Sequence, residues 1–438
     1  MTSTTPENQL TPVGIIGGGF GALIAYTILR FRGVPAQNIR VFSADNSPGE
    51  SWLKMVQAIG QKTMRSESTG HFFPTDSPGL ATIETLKKKT LKPIIRSWFD
   101  RYNPTVESII EHAHAIARQV SFWNSRVTTR VSRLIKHGDS FLIYNDQQQL
   151  VGQVQHVIIA VGHAAPFIPD PVQKFQAQHP NNPCVTGAFT AKQVHPGHPY
   201  LVIGDGLSAA TEWVRIIEQG GCVIAVSQKG FEFGQPLNTP RRYMSKRGLA
   251  SYHRRAEQER HSELNTVTRA NIPFYPGWKK LFKQALAEGA LRLIHGTVTN
   301  IHQPSPHLLH VTLARPDQNN CEVVEVDQVI AATGFYPPIQ HPLFQQLIKD
   351  YNLPTYNDRF LILNNNYCLE NLTTPHSIAA VIGHAAAWAI PCADSFNGIK
   401  IASRQIADLI LGPESWRPRE LTYKTKRWLN LIQGKQLA

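Results

Sequence analysis

The residues best placed for chemistry in this sequence are the small ones in a turn that follows its first hydrophobic strand. Gly17, Gly19 and Ala22 fill the spacing G-x-G-x-x-G/A between that strand and an apolar helical run. The first glycine makes the tight turn, the second lets a pyrophosphate approach the backbone, and the small third residue lets the helix pack on the strand. The phosphates then lie over the helix N-terminus. The candidate cofactor-binding residues of this turn are Gly17, Gly19, Phe20, Gly21 and Ala22.

The same pattern recurs near the middle of the chain, where Gly204, Gly206 and Ala209 fill the spacing and Ser208 precedes the alanine. The strand that follows ends in Ser227-Gln228-Lys229. A carboxylate at that point would bind a ribose 2′-hydroxyl and repel a 2′-phosphate, whereas a lysine attracts the phosphate. The sequence therefore predicts NADPH rather than NADH at this second turn. Its candidate phosphate ligands are Lys229, Arg241 and Arg242.

Two further segments consist of a hydrophobic strand followed by a glycine, and they stand just before and just after the second nucleotide unit. The first ends at Gly162, and the second is Ala331-Ala332-Thr333-Gly334. This order predicts an α/β fold in which one Rossmann-like domain is inserted into another. We expect the outer domain at 1–165 and 326–412, the inserted domain at 166–325, and a basic C-terminal tail at 413–438.

The chain of 438 residues carries 44 Lys+Arg against 31 Asp+Glu, a formal charge of +13. Such an excess attracts anions, including phosphorylated cofactors. No nucleic-acid-binding motif accompanies it, so we expect no nucleic-acid partner. No window approaches about 18 consecutive apolar residues, the N-terminal segment is polar, and the five cysteines form no close pair. These features predict a cytoplasmic protein with reduced thiols.

Two other classes of enzyme lack their usual residue patterns here. The 18 histidines include no His-x-x-x-His pair with a supporting carboxylate, so we expect no metal site. No C-x-x-C or C-x-x-x-x-C lies near the first glycine turn. Disulfide-reductase chemistry is therefore disfavoured, because it needs two neighbouring sulfurs.

The two glycine turns, the two strand-to-glycine segments and a C-terminal closing segment together resemble the two-dinucleotide-binding-domain flavoproteins over nearly the whole chain. Within them the sequence is most similar to the NADPH-dependent flavin monooxygenases, which include flavin-containing, Baeyer–Villiger and amine N-hydroxylating enzymes. Gly49-Glu50-Ser51-Trp52 resembles their G-G-x-W segment, and Met64-Arg65-Ser66 stands where they carry a short flavin-side segment. Ala331 to Gly334 matches their A-T-G strand.

The resemblance implies that the outer domain binds FAD and the inserted domain binds NADPH. The further residues that it assigns to cofactor binding are Ser43, Asp45, Trp52, Gly162, Thr333, Gly334, Asp394 and Phe396. The residues that it places at the reacting centre are Arg65, Ser66, Asn238 and Asn397. In the implied reaction NADPH passes a hydride to FAD, and the reduced flavin captures dioxygen as a C4a-peroxide. The terminal oxygen then goes to a small-molecule substrate, an amine or another soft heteroatom compound.

Two departures from the resemblance keep other functions open. Ser43 replaces the acidic residue expected to bind the FAD ribose. The linker motif is degenerate, because Gly187-Ala188-Phe189 and His195 occur in the wrong order. A flavoprotein reductase or dehydrogenase that does not oxygenate therefore remains an alternative. So does a nucleotide-binding interaction protein without catalysis.

The basic tail carries Trp416 and Trp428 among its arginines and lysines. Such a segment either binds a membrane surface as an amphipathic helix or docks on the protein body with its charges in water. We favour docking. The sequence leaves open whether the chain forms a homo-oligomer.

Overall fold

The structure is a computed structural model that describes residues 10–64, 70–98, 102–190, 192–235, 241–267, 272–273, 277–316, 321–413 and 418–437. The strands are β1 (Thr11–Ile16), β2 (Ile39–Ser43), β3 (Arg126–Thr128), β4 (Val131–His137), β5 (Ser140–Asn145), β6 (Leu150–Ile159), β7 (Val185–Gly187), β8 (Pro199–Ile203), β9 (Cys222–Ser227), β10 (Phe233–Gln235), β11 (Ile272–Pro273), β12 (Leu291–His295), β13 (Thr297–Ser305), β14 (Leu308–Ala314), β15 (Glu322–Val326), β16 (Gln328–Ala331), β17 (Thr355–Tyr356), β18 (Phe360–Leu361) and β19 (Ala379–Val381).

The helices are α1 (Phe20–Phe31), α2 (Glu50–Ala58), α3 (Leu80–Lys88), α4 (Lys92–Trp98), α5 (Val106–Gln119), α6 (Asp170–Gln178), α7 (Leu207–Glu218), α8 (Lys246–His253), α9 (Glu257–Val267), α10 (Trp278–Ala287), α11 (Pro342–Tyr351), α12 (Phe396–Leu411) and α13 (Pro418–Ile432). Short 3-10 helices lie at Ala36–Asn38, Phe122–Ser125, Arg241–Met244, Pro338–Gln340, Glu370–Leu372 and His384–Ala386.

The first sheet belongs to the outer domain and has the strand order β3-β2-β1-β6-β5-β4, with β19 also paired to β6. The pairs among β3, β2, β1, β6 and β19 are parallel, whereas β4, β5 and the start of β6 form an antiparallel meander. β1 and α1 are almost wholly buried and apolar, as expected of parallel strands that are covered on both faces. The carboxyl ends of the parallel strands share one edge, where the first glycine turn lies.

The second sheet is wholly parallel and has the strand order β12-β9-β8-β16-β7. β16 lies beyond the boundary expected at 326, yet it pairs with β8 and β7 of the inserted domain. A domain boundary after Gly334 fits this pairing. The antiparallel sheet β13-β14-β15 is an excursion of the chain between β12 and β16.

The two glycine turns are built alike. Gly17 and Gly204 have φ angles of +119° and +135°, which residues with a side chain rarely adopt. A Cβ on Gly17 would lie 2.3 Å from the Ala160 carbonyl oxygen, and one on Gly204 would lie 2.2 Å from that of Ala332. In each domain the strand-to-glycine segment therefore presses against the nucleotide turn. The predicted α/β fold, one Rossmann-like domain inserted into another, is confirmed.

Helices α8 and α9 come from the inserted domain but pack on the outer one. The Tyr252 hydroxyl donates a hydrogen bond to the Trp388 carbonyl at 3.1 Å, and His253 Nε2 donates to the Ala389 carbonyl at 2.7 Å. Both carbonyls belong to the buried segment that leads into α12. The Tyr252 ring joins the hydrophobic core of the outer domain. The inserted sequence thus forms part of the wall beside the N-terminus of α12.

The C-terminal tail folds as α13 and packs against the outer domain. Arg427 is only 7% exposed and donates to the Arg30 carbonyl. Arg30 in turn donates through Nη2 to the Leu437 carbonyl at 2.8 Å. The tail therefore docks on the outer domain. Its charges were expected to lie in water, but Arg427 is buried. Among the described residues, no helix combines the length and the apolar character that crossing a membrane requires.

Candidate active site

The N-terminus of α1 faces open space at the carboxyl edge of the first sheet. Gly19 immediately precedes α1, and a Cβ built on it would meet no atom within 4 Å. The same is true of Gly162, which follows β6, and of Gly383, which follows β19. Backbone N–H groups at a helix N-terminus attract phosphates. The open cradle beside these three glycines therefore fits the pyrophosphate of a dinucleotide.

A second helix N-terminus lies close to the first. α12 begins at Phe396, and Ser395 caps it by accepting a hydrogen bond from the Gly398 N–H at 3.0 Å. The rings of Phe396 and Phe20, the first residue of α1, have centroids 5.9 Å apart. The N-termini of two helices stabilise negative charge placed near both of them. A pyrophosphate or a reduced flavin ring carries such a charge.

Phe20 is the centre of an aromatic cluster at these helix ends. Its ring centroid lies 5.0 Å from that of Trp52 and 5.1 Å from that of Phe72. Gly49, which precedes α2, lets the Phe20 ring approach that helix, because a Cβ on Gly49 would lie 2.2 Å from the ring. Its φ of +79° also favours glycine. The structure thus brings together three predicted cofactor-binding residues, Phe20, Trp52 and Phe396, from three separate helices.

The second strands of the two domains end in the same serine turn but with opposite charges. The Asp45 N–H donates to Ser43 Oγ at 3.0 Å, and the Lys229 N–H donates to Ser227 Oγ at 3.2 Å. Asp45 and Lys229 therefore occupy equivalent places in the two domains. A carboxylate accepts hydrogen bonds from ribose hydroxyls, whereas an ammonium attracts a phosphate. The contrast separates a place suited to ribose from a place suited to a 2′-phosphate.

A carboxylate that the sequence argument missed lies near Lys229. The Ser227 hydroxyl donates to Asp205 Oδ2 at 2.7 Å. Asp205 stands inside the second glycine turn and reaches the end of β9 because β8 and β9 are adjacent parallel strands. The residues directly after β9 include no carboxylate, because Asp205 comes from the turn that follows the neighbouring strand β8. Its position between Gly204 and Gly206 was the available signal.

Arg242, a predicted phosphate ligand, has other partners in the structure. It forms an ion pair with Glu263 of α9, and Glu263 also accepts a hydrogen bond from Arg255 at 2.8 Å. The Arg242 guanidinium lies 4.7 Å from the centroid of the Tyr243 ring. Arg242 therefore stabilises the packing of α8 and α9. Lys229 is exposed at the end of β9, and the side chain of Arg241 lies outside the described residues.

A stack of four rings joins the carboxyl ends of the two sheets. His163 follows β6 and His384 follows β19, and their ring centroids are 4.5 Å apart. Phe335, which follows β16, stacks on His163 with centroids 4.5 Å apart and 16° between the ring planes. Phe189, after β7, continues the stack at 5.4 Å from Phe335. The stack therefore bridges the outer and inserted domains at the edge where both glycine turns lie.

The surroundings of the two imidazoles in this stack favour their neutral form. Desolvation, followed by the charge of His384, lowers the pKa of His163, although solvent offsets part of this effect because His163 is an exposed residue. Desolvation also lowers the pKa of His384, against the opposing charge of Asp394. Sequence reasoning missed both histidines. The signal that could have found them is that each directly follows a glycine at the end of a parallel strand.

The remaining predicted residues fall in several places. Thr333 and Gly334 hold the segment that crosses between the domains, since the Thr333 hydroxyl donates to the Phe167 carbonyl at 2.6 Å and the Phe167 N–H donates to Gly334 at 2.9 Å. Asn397, in the first turn of α12, has its Nδ2 3.6 Å from the sulfur of Met244. The predicted residues Arg65, Ser66 and Asn238 lie outside the described residues.

Two buried histidines lie behind the aromatic cluster. The His71 ring centroid is 4.9 Å from that of Phe396 and 6.5 Å from that of His112. Burial lowers the pKa of His112 to about 3, although a backbone hydrogen bond with Gly70 opposes the shift. Burial, the charge of His112 and that of Lys400 lower the pKa of His71 well below its usual value. The pair is therefore a neutral part of the wall near pH 7.

In the part of the chain that the structure describes, no group of three or more His, Cys, Asp or Glu side chains is arranged to hold a metal ion. Cys184, Cys222, Cys321, Cys368 and Cys392 form no disulfide.

The strand orders and the two matching turns define a fold of two Rossmann-like domains, one inserted into the other, and solved structures share it. The ornithine hydroxylase of Pseudomonas aeruginosa matches with a TM-score of 0.70 and 14% identity, over 92% of this chain and 100% of that one. The ornithine N-hydroxylase of Kutzneria sp. 744, solved with reduced FAD, NADP+ and L-ornithine, matches with a TM-score of 0.71 and 14% identity, over 92% and 99%.

The L-lysine 6-monooxygenase of Pseudomonas syringae matches with a TM-score of 0.68 and 18% identity, over 91% of this chain and 99% of that one. No protein-family model matches the sequence, and no curated protein is significantly similar to it. At identities this low, the structural similarity establishes a shared fold and nothing further.

Proposed function

We propose that this protein is an FAD-dependent, NADPH-using monooxygenase that oxygenates the nitrogen of a small-molecule amine. The proposal rests on one observation above all: two turns of the same construction follow the first strands of the two domains, and the four-ring stack joins the carboxyl ends of the two sheets. One turn is matched with Asp45 and the other with Lys229. The similarity to enzymes of ornithine and lysine extends over nine-tenths of the chain and supports the same assignment.

In this proposal FAD lies in the outer domain, with its pyrophosphate at Gly19 and its ribose near Ser43 and Asp45. NADPH lies in the inserted domain, with its pyrophosphate at Gly206 and its 2′-phosphate near Lys229. When bound, the flavin accepts a hydride from NADPH and activates dioxygen.

The protein's own residues supply position, charge and a dry environment. The N-termini of α1 and α12 stabilise the negative charge of the cofactor. The aromatic cluster around Phe20 excludes water from the same place. Helices α8 and α9 cover the approach to α12, where Met244 meets Asn397. We propose Asn397, together with Arg65, Ser66 and Asn238, as the residues closest to the amine.

The proposed division of the chain follows the sheet pairing. The outer domain comprises 1–165 and the segment after Gly334 up to 412, and the inserted domain comprises 166–334. We place the protein in the cytoplasm, where NADPH is available and where reduced thiols such as those of the buried Cys184, Cys368 and Cys392 persist.

Oxygen transfer from isotopically heavy dioxygen tests the proposed function. FAD-loaded protein is incubated with NADPH, heavy dioxygen and a panel of diamines and basic amino acids, and products are examined by mass spectrometry. We expect one heavy oxygen atom in a hydroxylamine product from at least one amine. NADPH oxidation that depends on an organic acceptor, with no labelled product from any amine, would instead support the reductase or dehydrogenase alternative.

A further inference from the structure

The hairpin formed by α3, α4 and the turn between them exposes large apolar side chains to an unusual degree. Trp98 is 76% exposed, Leu86 73%, Leu91 67% and Ile95 44%. The first three are the most exposed large hydrophobic residues in the described part of the chain. An isolated exposed leucine needs no explanation, but several together on one element indicate an interaction surface.

The hairpin is packed against the protein at the start of α3 and at the start of α4. Leu80 and Ala81 are buried in the core of the outer domain, and Pro93 of α4 is buried as well. Lys89 adopts the left-handed conformation that ends α3, which reverses the chain into α4. The exposed side chains therefore stand on helices that are packed at these two points.

The same surface is strongly cationic. Five basic residues fall within ten positions, namely Lys87, Lys88, Lys89, Lys92 and Arg96. The acidic residue on α3, Glu84, lies toward the base, where it pairs with Lys88 at 3.3 Å and accepts a hydrogen bond from Ser108. The hairpin thus carries a net positive charge among its exposed leucines and tryptophan.

The charge decides which partner suits this surface. Docking of two copies of the hairpin on each other about a two-fold axis would bring ten cations together, which is electrostatically unfavourable. Nucleic acid would match the charge but offers little for three aliphatic side chains. An anionic bilayer matches both features, because leucines and tryptophan enter the interface while lysine and arginine reach the headgroups.

We propose that the hairpin of residues 80–98 docks the protein reversibly on an anionic lipid surface. Leu86, Leu91 and Trp98 insert at the level of the headgroups, and the five basic side chains contact the lipid phosphates. This surface is separate from the tail helix α13, which is held against the body through Arg427. The proposal does not depend on the chemistry proposed for the active site.

Vesicle flotation with the full-length, FAD-loaded protein tests it. The probes are vesicles of phosphatidylcholine mixed with phosphatidylglycerol, and vesicles of phosphatidylcholine alone, at low salt and at about 0.5 M NaCl. We expect binding to the anionic vesicles only, weakened by salt. Changing Lys87, Lys88 and Lys89 together to Gln should weaken binding about a hundredfold. The double variant Leu86→Ser and Trp98→Ser should weaken it at least about tenfold.

A matched control carries Leu421→Ser and Leu429→Ser, which remove exposed leucines from the basic tail helix. This control should bind the vesicles as the unchanged protein does, and circular dichroism verifies that every variant is folded. Absence of vesicle binding, or loss of binding only in the tail control, would overturn the proposal. So would hairpin variants that convert a dimer into a monomer, or that lose binding to an oligonucleotide while lipid binding is unchanged.

Discussion

Gly17 and Gly19 stand two residues apart, yet the structure gives each a different reason to be glycine. Gly17 has a positive φ, and its missing Cβ makes room for the Ala160 carbonyl. Gly19 has an extended backbone and faces open space. A side chain at position 17 therefore disrupts the fold, whereas one at position 19 occupies the proposed place of the pyrophosphate.

We accordingly predict that Gly19→Val leaves the protein folded but unable to retain FAD. Gly17→Ala should instead lower the free energy of unfolding by about 1–3 kcal/mol or more. Flavin content after gel filtration, together with a urea unfolding curve for each variant, measures both effects. A Gly19→Val protein with normal flavin content would contradict the placement of FAD at the first turn.

Lys229 is predicted to recognise the phosphate that distinguishes NADPH from NADH. One charge-assisted contact contributes about 1.5–3 kcal/mol, so Lys229→Ala should raise the KM for NADPH roughly ten- to a hundredfold and leave that for NADH nearly unchanged. The rate of flavin reduction at saturating NADPH should barely move, because the contact is remote from the hydride. Steady-state kinetics with both nucleotides measures the effect.

Asp205→Asn is the matched variant, since it removes the carboxylate that accepts a hydrogen bond from Ser227. It should lower the KM for NADPH, because a negative charge near the 2′-phosphate is lost. If Lys229→Ala weakens NADH and NADPH equally, the basic residue does not read the phosphate.

How far the sequence predicts individual site residues depends on whether they lie inside a local motif. Gly19, Trp52 and Phe396 could be found because each opens a helix or follows a recognisable turn. His163, His384 and Asp205 could not be placed in the same way. Their importance arises from the pairing of strands that are distant along the chain, and a spacing rule contains no information about such neighbours.

At the level of elements, the packing of α5 against the segment that begins at Gly70 makes the stability of the fold depend on pH. His112 of α5 is buried and neutral in the folded protein, whereas in the unfolded chain its pKa is near the usual 6.5. Because the pKa of His112 is lower in the folded state than in the unfolded state, the neutral side chain contributes fully to stability above about pH 6.5. That contribution is lost as the pH falls toward the folded-state pKa.

We predict that this one residue reduces the free energy of unfolding by about 2 kcal/mol between pH 7 and pH 5. His112→Gln, which cannot take up the proton, should flatten the pH dependence by that amount. Denaturant unfolding at both pH values measures it. His302→Gln is the control, because His302 is exposed on β13. Equal pH dependence in the His112 variant and in the unchanged protein would refute the prediction.

The elements around the two glycine turns could be predicted from the sequence, because a hydrophobic strand, a glycine turn and an apolar helix follow one another there. The assignment of β16 was harder. Its sequence shows a strand and a glycine, but only its hydrogen bonds to β8 and β7 assign it to the inserted domain. The docking of α8 and α9 on the outer domain was equally hidden, since no local pattern specifies a contact between Tyr252 and Trp388.

At the scale of the whole molecule, the proposed function requires two nucleotides to be held in register across the junction of the two domains. The four-ring stack joins the two domains there. Phe335 contacts both His163 and Phe189, and each aromatic contact contributes about 0.5–1.5 kcal/mol. Phe335→Ala should therefore slow flavin reduction by NADPH about tenfold. FAD content and the Kd for NADPH should stay close to those of the unchanged protein.

Anaerobic stopped-flow measurement of flavin reduction, with FAD content determined separately, distinguishes these effects. Phe167→Ala is a useful comparison, because Phe167 lies on the same crossing segment but outside the ring stack. Loss of FAD in the Phe335 variant, with an unchanged reduction rate for the flavin that remains, would show that the stack serves cofactor retention instead of domain alignment.

The central claim is that one chain brings FAD and NADPH together, and the visible absorption spectrum of the purified protein tests it most directly. The protein is incubated with FAD, freed of excess by gel filtration, and measured without oxygen before and after NADPH is added. We predict the spectrum of bound oxidised flavin, its bleaching by NADPH more readily than by NADH, and its return when air is admitted. A colourless protein, or a bound flavin that NADPH leaves oxidised, would contradict the claim.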